Sequence, residues 1–167
     1  GPVELGAIGL DHRAQGDPGT TAFQVERYPF FLINRLASRY NATIEPRLRD
    51  IGLDIPNWRV LMILGEQAPR GVRDIAEAAV IPLSTMTRIV QRMAAADLVT
   101  LTPSEADARV TMVALTPKGE SKLVEARQAT SPVYQQVITG LSARDFDRLL
   151  ALLDRVFATG EPYVGRA

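Results

Sequence analysis

Cysteine is absent from this chain of 167 residues, and histidine and tryptophan each occur once. The missing cysteine removes disulfides, thiol redox switches and thiolate metal sites together. With a single histidine, no zinc centre of the usual His or Cys ligation can be assembled, so neither a metal site nor a cofactor is expected. Net charge is missing too: nineteen basic side chains balance nineteen acidic ones. No global field then draws the chain to nucleic acid or to a membrane surface, and any polyanion site must be local. No apolar run approaches the roughly 20 residues of a membrane span, and the chain does not open on a basic segment followed by an apolar one, so no targeting signal is expected. A cytoplasmic protein with no membrane partner is the expectation. Enzymatic activity is not expected: there is no cysteine nucleophile, no Ser-His pair and no glycine-rich phosphate loop leading from a strand into a helix.

What is present is a chain 46% hydrophobic, long enough for one sizeable core with an extra arm or dimer element. Residues 1–22 are glycine-rich and aperiodic, which reads as a flexible or draped arm. From Tyr28 the positions Ile33, Leu36 or Ala37, Tyr40, Ile44 and Leu48 recur at helical spacing and predict a long first helix, with a kink or early stop at Pro46. Asp54 and Pro56 open a second helix with the stripe Trp58, Leu61, Met62 and Leu64, ending near Gly65. The "APRG" segment at 68–71 is a turn, and "VRDIAEAA" is a short third helix. Pro82 opens the fourth, whose buried stripe is Met86, Ile89, Val90 and Met93. After Asp97, "LVTLT" and "VTMVAL" alternate as short strands around the polar "PSEADAR", a hairpin with a longer loop. Thr116 and Pro117 start a long helix through about Thr139, bent at Pro132. Ser142 and Asp145 open the last helix, whose stripe is Phe146, Leu149, Leu150, Leu153, Val156 and Phe157. The tail, 159–167, looks frayed.

The fold class expected is mainly α with a small β-hairpin wing (α+β). Short helix, turn, helix and hairpin in that order describe a winged helix-turn-helix, in which the second short helix enters a DNA major groove. Ser84, Thr85, Thr87, Arg88, Gln91 and Arg92 fall on the polar side of that helix. Short hydroxyls near a helix N-terminus suit phosphate oxygens and base edges, and Arg88 can offer a bidentate fork to guanine. The bland alternative is a solvated helix face. In the wing, Asp107 and Arg109 lie two apart, so in a locally extended strand they share a side and the carboxylate orients the guanidinium toward a minor groove; the alternative is a surface ion pair of no consequence.

These pieces resemble a MarR-family transcriptional regulator. The likeness runs over roughly residues 28–158 and rests on "LDIPNWRVLMIL", on "STMTRIVQRM" followed by "DLV", on the Asp107-x-Arg109 pair, and on "VALTPKG". The spacing between "DLV" and "LTPKG" equals that usual in the family. The resemblance implies an obligate homodimer that binds a pseudo-palindromic double-stranded DNA operator as a repressor. It divides the chain into a helical dimerisation region, 23–50 and 117–158, and a DNA-binding lobe, 51–116. The apolar stripes of the terminal helices independently ask for a second surface. Carried over by position, Ser84, Thr85, Thr87, Arg88 and Arg92 meet the groove, Arg109 held by Asp107 meets it at the wing, and Arg73 contacts a phosphate. The chain departs from the family in having Leu101, Thr102 and Ala108 at wing positions often occupied by arginine. Val80 and Asp97 stand where glycine is common.

The resemblance also implies release by a small effector, aromatic and anionic: a phenolic acid or its thioester. Its wall would come from Phe31, Arg35, Ser38, Arg39, Trp58, Arg59 and Met62, where aromatic rings and a methionine supply burial and a guanidinium takes the anion; the alternative is that Phe31, Trp58 and Met62 are plain core, the commoner role of such residues at helical spacing. His12 and Arg13 join this set if the arm folds over the pocket. A winged helix used for protein contact without DNA is the alternative function.

Overall fold

The computed structural model of the protein describes residues 11–160. The first part of the expected arm, residues 1–10, and most of the expected tail, residues 161–167, lie outside the described residues. The chain divides into two compact units, Gly1–Ile55 and Pro56–Ala167.

In the first unit, two 3-10 turns, His12–Gly16 and Val25–Arg27, precede helix α1, Pro29–Arg49. The turns are tied together: Gln24 donates its amide to the Gln15 carbonyl at 2.8 Å and Thr20 its hydroxyl to the Ala14 carbonyl at 2.6 Å. A Cβ on Gly16 would stand 2.7 Å from the Arg27 carbonyl oxygen, so only glycine permits the two segments to pass this closely. Helix α1 opens on Pro29, where a missing N–H costs nothing. The early stop expected at Pro46 does not occur. Proline removes one donor, but the groups beyond it still bond: Asp50 donates to the Pro46 carbonyl at 3.1 Å, and Arg49 pairs with Glu45 across the proline at 3.1 Å. Of the expected stripe only Ile44 and Leu48 are buried, while Ile33 and Leu36 are exposed beside Phe30, Phe31 and Leu32.

The second unit holds α2 (Ile55–Glu66), β1 (Arg70–Gly71), α3 (Val72–Ala79), α4 (Leu83–Ala95), β2 (Val99–Pro103), β3 (Thr111–Leu115), α5 (Pro117–Ile138) and α6 (Ala143–Thr159). The three strands form an antiparallel sheet in the order β1-β3-β2, with Val99 opposite Leu115 and Arg70 opposite Val113. Strand β1 lies where the sequence suggested only a turn; two residues are too few to show alternation. Helix α3 packs on α4, and α4 on β2. The core gathers Val60, Leu61 and Leu64 of α2, Ile75 of α3, Met86, Val90 and Met93 of α4, and Val113 of β3.

Two matching turns set the angles around α4. After α3, Val80 donates to the Glu77 carbonyl and Ile81 to that of Ala76; after α4, Asp97 donates to the Ala94 carbonyl and Leu98 to that of Met93. Both are Schellman ends, which require a left-handed residue and usually recruit glycine. Here they hold Val80 at φ 54° and Asp97 at φ 63°. Aspartate tolerates that region, whereas a β-branched residue is strained there, at a cost of roughly 1–2 kcal/mol. The start of α5 clamps the second turn. Thr116 caps the helix by accepting from the Gly119 amide at 2.9 Å while donating to the Asp97 carbonyl at 2.5 Å, and Lys118 donates to the Ala96 carbonyl at 3.0 Å. A Cβ on Gly119 would collide with the Leu98 carbonyl oxygen, which explains the glycine of the "LTPKG" segment.

Candidate nucleic-acid interface

Helix α4 is held on one side and exposed on the other. Met86, Ile89, Val90 and Met93 recur at three and four residues and are all buried, as their spacing predicts. Anchored this way, the helix turns Ser84, Thr85, Arg88, Gln91 and Arg92 outward, where all five are exposed. Thr87 sits half-buried at the margin, and its hydroxyl donates to the Leu83 carbonyl one turn back at 2.8 Å. That bond occupies its only donor, leaving lone pairs and a methyl group for any outside contact.

Two concave surfaces flank this face. A shallow depression of about 460 Å³ is lined by Arg88, Gln91, Arg92 and Ala95. A cleft of about 270 Å³ between α4 and the wing is lined by Thr87 and Gln91 on one side and by Leu101, Thr102, Ala108 and Thr111 on the other. Gln91 alone borders both. Sequence reasoning placed it on the polar side of the helix but not among the contact residues; its position three after Arg88, one turn along the same face, is the signal that marks it. The cleft is uncharged, with Leu101, Thr102 and Ala108 on its wing side. Arg73 lies exposed in the first turn of α3.

The wing pair forms, although not in the way the sequence suggested. Asp107 and Arg109 occupy the loop between β2 and β3 rather than an extended strand. A turn brings them together: Val110 donates its amide to the Asp107 carbonyl at 2.9 Å, and Arg109 donates its own to Asp107 Oδ1 at 3.0 Å. The guanidinium then grips both carboxylate oxygens, Nε to Oδ1 and Nη2 to Oδ2, each at 3.1 Å. This side-chain fork, helped by the backbone bond, lowers the Asp107 carboxyl below the usual aspartate range. The Arg109 side chain is 90% exposed, so the fork orients a guanidinium that remains free on its outer edge.

The same Asp-x-Arg construction occurs at residues 11–13. Arg13 donates its amide and Nε to Asp11 Oδ1 at 3.0 and 2.8 Å, and Nη2 to Oδ2 at 2.8 Å, which brings the Asp11 carboxyl down to about 2. His12 between them is exposed. Among the other effector candidates, Arg35 lies over the Phe31 ring at 5.7 Å from its centroid, a cation–π geometry, and Ser38 and Arg39 are exposed farther along α1. On α2, Trp58 is buried, Arg59 half-buried and Met62 exposed.

Comparison with known proteins agrees with this geometry. Residues 51–110, the lobe from α2 to the end of the wing loop, match the family model described as MarR family. The HTH-type transcriptional repressor IacR of Pseudomonas putida is 37% identical over 141 residues, spanning 84% of each chain. A mutant MarR from E. coli, solved complexed with operator DNA, superposes with a TM-score of 0.68 at 21% identity over 75% of this chain and 90% of that one. CouR from Rhodococcus jostii, bound to p-coumaroyl-CoA, does so with a TM-score of 0.73 at 19% identity over 80% and 94%. A helix held on one face and exposed on the other, a forked wing arginine and a relative 37% identical over 84% of each chain converge on one assignment: this chain belongs to the MarR family of transcriptional regulators.

Proposed function

We propose that the protein is a cytoplasmic repressor that binds a pseudo-palindromic operator as a homodimer and lets go of it when a small aromatic acid or its thioester binds. The observation that carries this reading is the outward row on α4: Ser84, Thr85, Arg88, Gln91 and Arg92 stand exposed over four buried apolar anchors. Two such helices, one from each protomer, enter successive major grooves about one helical turn apart. Arg88 forks onto guanine O6 and N7, Gln91 offers its amide to an adjacent base, and Arg109 reaches the minor groove beside the wing. Arg73 and the short hydroxyls of Ser84 and Thr85 take phosphate oxygens and fix the register. Because the wing cleft is uncharged, few phosphates are neutralised, and each one absent removes about 0.9 from the salt slope.

Dimerisation is supported by the two terminal faces. Phe30, Leu32 and Leu36 on α1 and Leu149, Leu150, Leu153 and Val156 on α6 are large apolar side chains left at the surface of a single chain. The effector reading is supported by the Arg35–Phe31 pair, which offers a guanidinium and an aromatic face to one carboxylate-bearing ring, and by the thioester bound to a relative of the same fold. Such a ligand relieves repression only to the extent that it prefers a dimer whose helices no longer match the groove spacing.

Mobility shift on DNA from the chain's own promoter region tests the reading. A salt-sensitive shift that competitor DNA does not abolish, and that Arg88→Ala weakens, is expected. No shift, or one indifferent to Arg88→Ala, would leave a winged helix that meets another protein instead.

A further inference from the structure

A groove of about 900 Å³ runs between the helix-turn-helix and the end of α6. Arg73 and Glu77 of α3, Val80 and Pro82 of the turn, Leu83 of α4 and Phe157 of α6 are among its walls. Val80 is 68% exposed and Phe157 70%, more than any other large apolar side chain among the described residues. They come from elements far apart in sequence, and both face this one groove.

Val80 is also the strained residue of the Schellman turn, at φ 54°. Glycine or asparagine would close the same turn without strain. A valine there gains nothing from its own chain, because its side chain is not buried. Strain persists where something else depends on the residue, and for an exposed aliphatic side chain that dependence is a contact outside the chain. Arg73 apart, the lining offers duplex DNA no cation: it is mostly apolar and carries Glu77. A small ligand would need enclosure over most of its area, and the groove lies open to solvent along its length. Leu149, Leu153 and Val156 form a stripe on α6 that leads directly into Phe157, and α6 buries no residue against its own chain. The groove continues a face that already asks for a second copy.

We infer that the groove is a contact surface for a second copy of this chain, so that the dimer interface extends past the terminal helices to the turn of the DNA-reading motif. The inference rests on the homodimer proposed above and adds where that dimer touches. The Val80–Pro82 turn sets the angle between α3 and α4. A partner seated on it braces the recognition helix, and association and operator reading become one event rather than two.

Val80→Asn gives opposite signs to strain and contact. Asparagine tolerates the left-handed region, so the lone chain keeps its fold and its helical circular dichroism. The lost aliphatic contact raises the dimer dissociation constant by about tenfold or more in sedimentation equilibrium, and Phe157→Ser raises it further. Because the chain has no cysteine, a bimane on Ala158→Cys reports the groove alone, and its emission should shift to the blue as protein concentration passes the dissociation constant. Wild-type affinity in both variants, with emission indifferent to concentration, overturns the inference while leaving a dimer. A wild-type chain that sediments as a monomer at every concentration overturns the dimer itself.

Discussion

Helices α4 and α6 carry the same kind of pattern and meet opposite fates. Each has a clean apolar stripe at helical spacing with charged residues opposite. The stripe of α4 disappears under α3 and the sheet, leaving Met86 with no exposed surface, whereas that of α6 stays uncovered from Leu149 to Phe157. Amphipathic spacing therefore says that a helix has a partner, but not whether the partner belongs to the same chain. The difference lies in what the connections permit. Short turns on either side of α4, closed by the Schellman ends at Val80 and Asp97 and clamped by Thr116 and Lys118, return the chain onto the stripe. Helix α6 is the last element described, and none of the described residues covers its stripe.

The comparison breaks most visibly at the two stripes. Met86→Ala leaves a cavity in a closed core and should lower the free energy of unfolding by about 2–5 kcal/mol, a loss in chemical denaturation that is the same at every protein concentration. Leu149→Ala with Leu153→Ala should instead weaken association by about 2 kcal/mol or more, seen as dissociation on dilution with helical content retained. If both losses proved independent of concentration, α6 would be covered by its own chain and the contrast would fail.

The polar faces give a finer test. Arg88 on α4 and Arg148 on α6 are both exposed arginines on amphipathic helices, and only the first lines the depression on the outward face of α4. Arg88→Ala should cost about 1–3 kcal/mol in operator affinity and relax preference at one base pair. Arg148→Ala should leave fluorescence-anisotropy titrations unchanged. Equal losses would mean that both arginines act through general charge rather than through a read base.

How much of this was legible follows from the same contrast. The four anchors of α4 could be read from spacing because local periodicity and tertiary burial agree there. The helix ends at Thr116 and Ser142 could be read because a hydroxyl cap is a local device: each accepts from the amide three residues on. That the terminal stripes ask for a second surface could be read, but not which residues stay exposed in one chain, Ile33, Leu36 and Leu153 among them, since an apolar stripe looks the same whichever chain covers it. Strand β1 escaped because its two residues pair only through β3, more than forty positions away. The Asp107–Arg109 pair was legible as chemistry and not as geometry. Two residues apart, the side chains can meet in a strand or in a turn, and backbone bonds from Arg109 and Val110 choose the turn.

That turn supports the smallest prediction, which concerns the two Asp-x-Arg forks. Both carboxyls are lowered by the guanidinium they hold, Asp11 to about 2 and Asp107 below its ordinary value near 3.8. A depressed carboxyl stabilises the folded chain above its unfolded pKa, and that contribution is lost as pH falls through the folded value. For Asp11 the window runs from the ordinary aspartate value down to about 2; for Asp107 it opens at the same upper edge. Both pairs are solvent-exposed and screened, so global stability should scarcely register either. Carboxyl carbon shifts followed by NMR from pH 6 to pH 1.5 should do so: Asp11 should protonate last, and Arg13→Gln and Arg109→Gln should each return only their own partner toward the ordinary range. The guiding role of the fork is tested at neutral pH, where Asp107→Ala leaves the wing arginine without its carboxylate and should lower operator affinity. A wing indifferent to Asp107→Ala would show that Arg109 needs no carboxylate to find its groove.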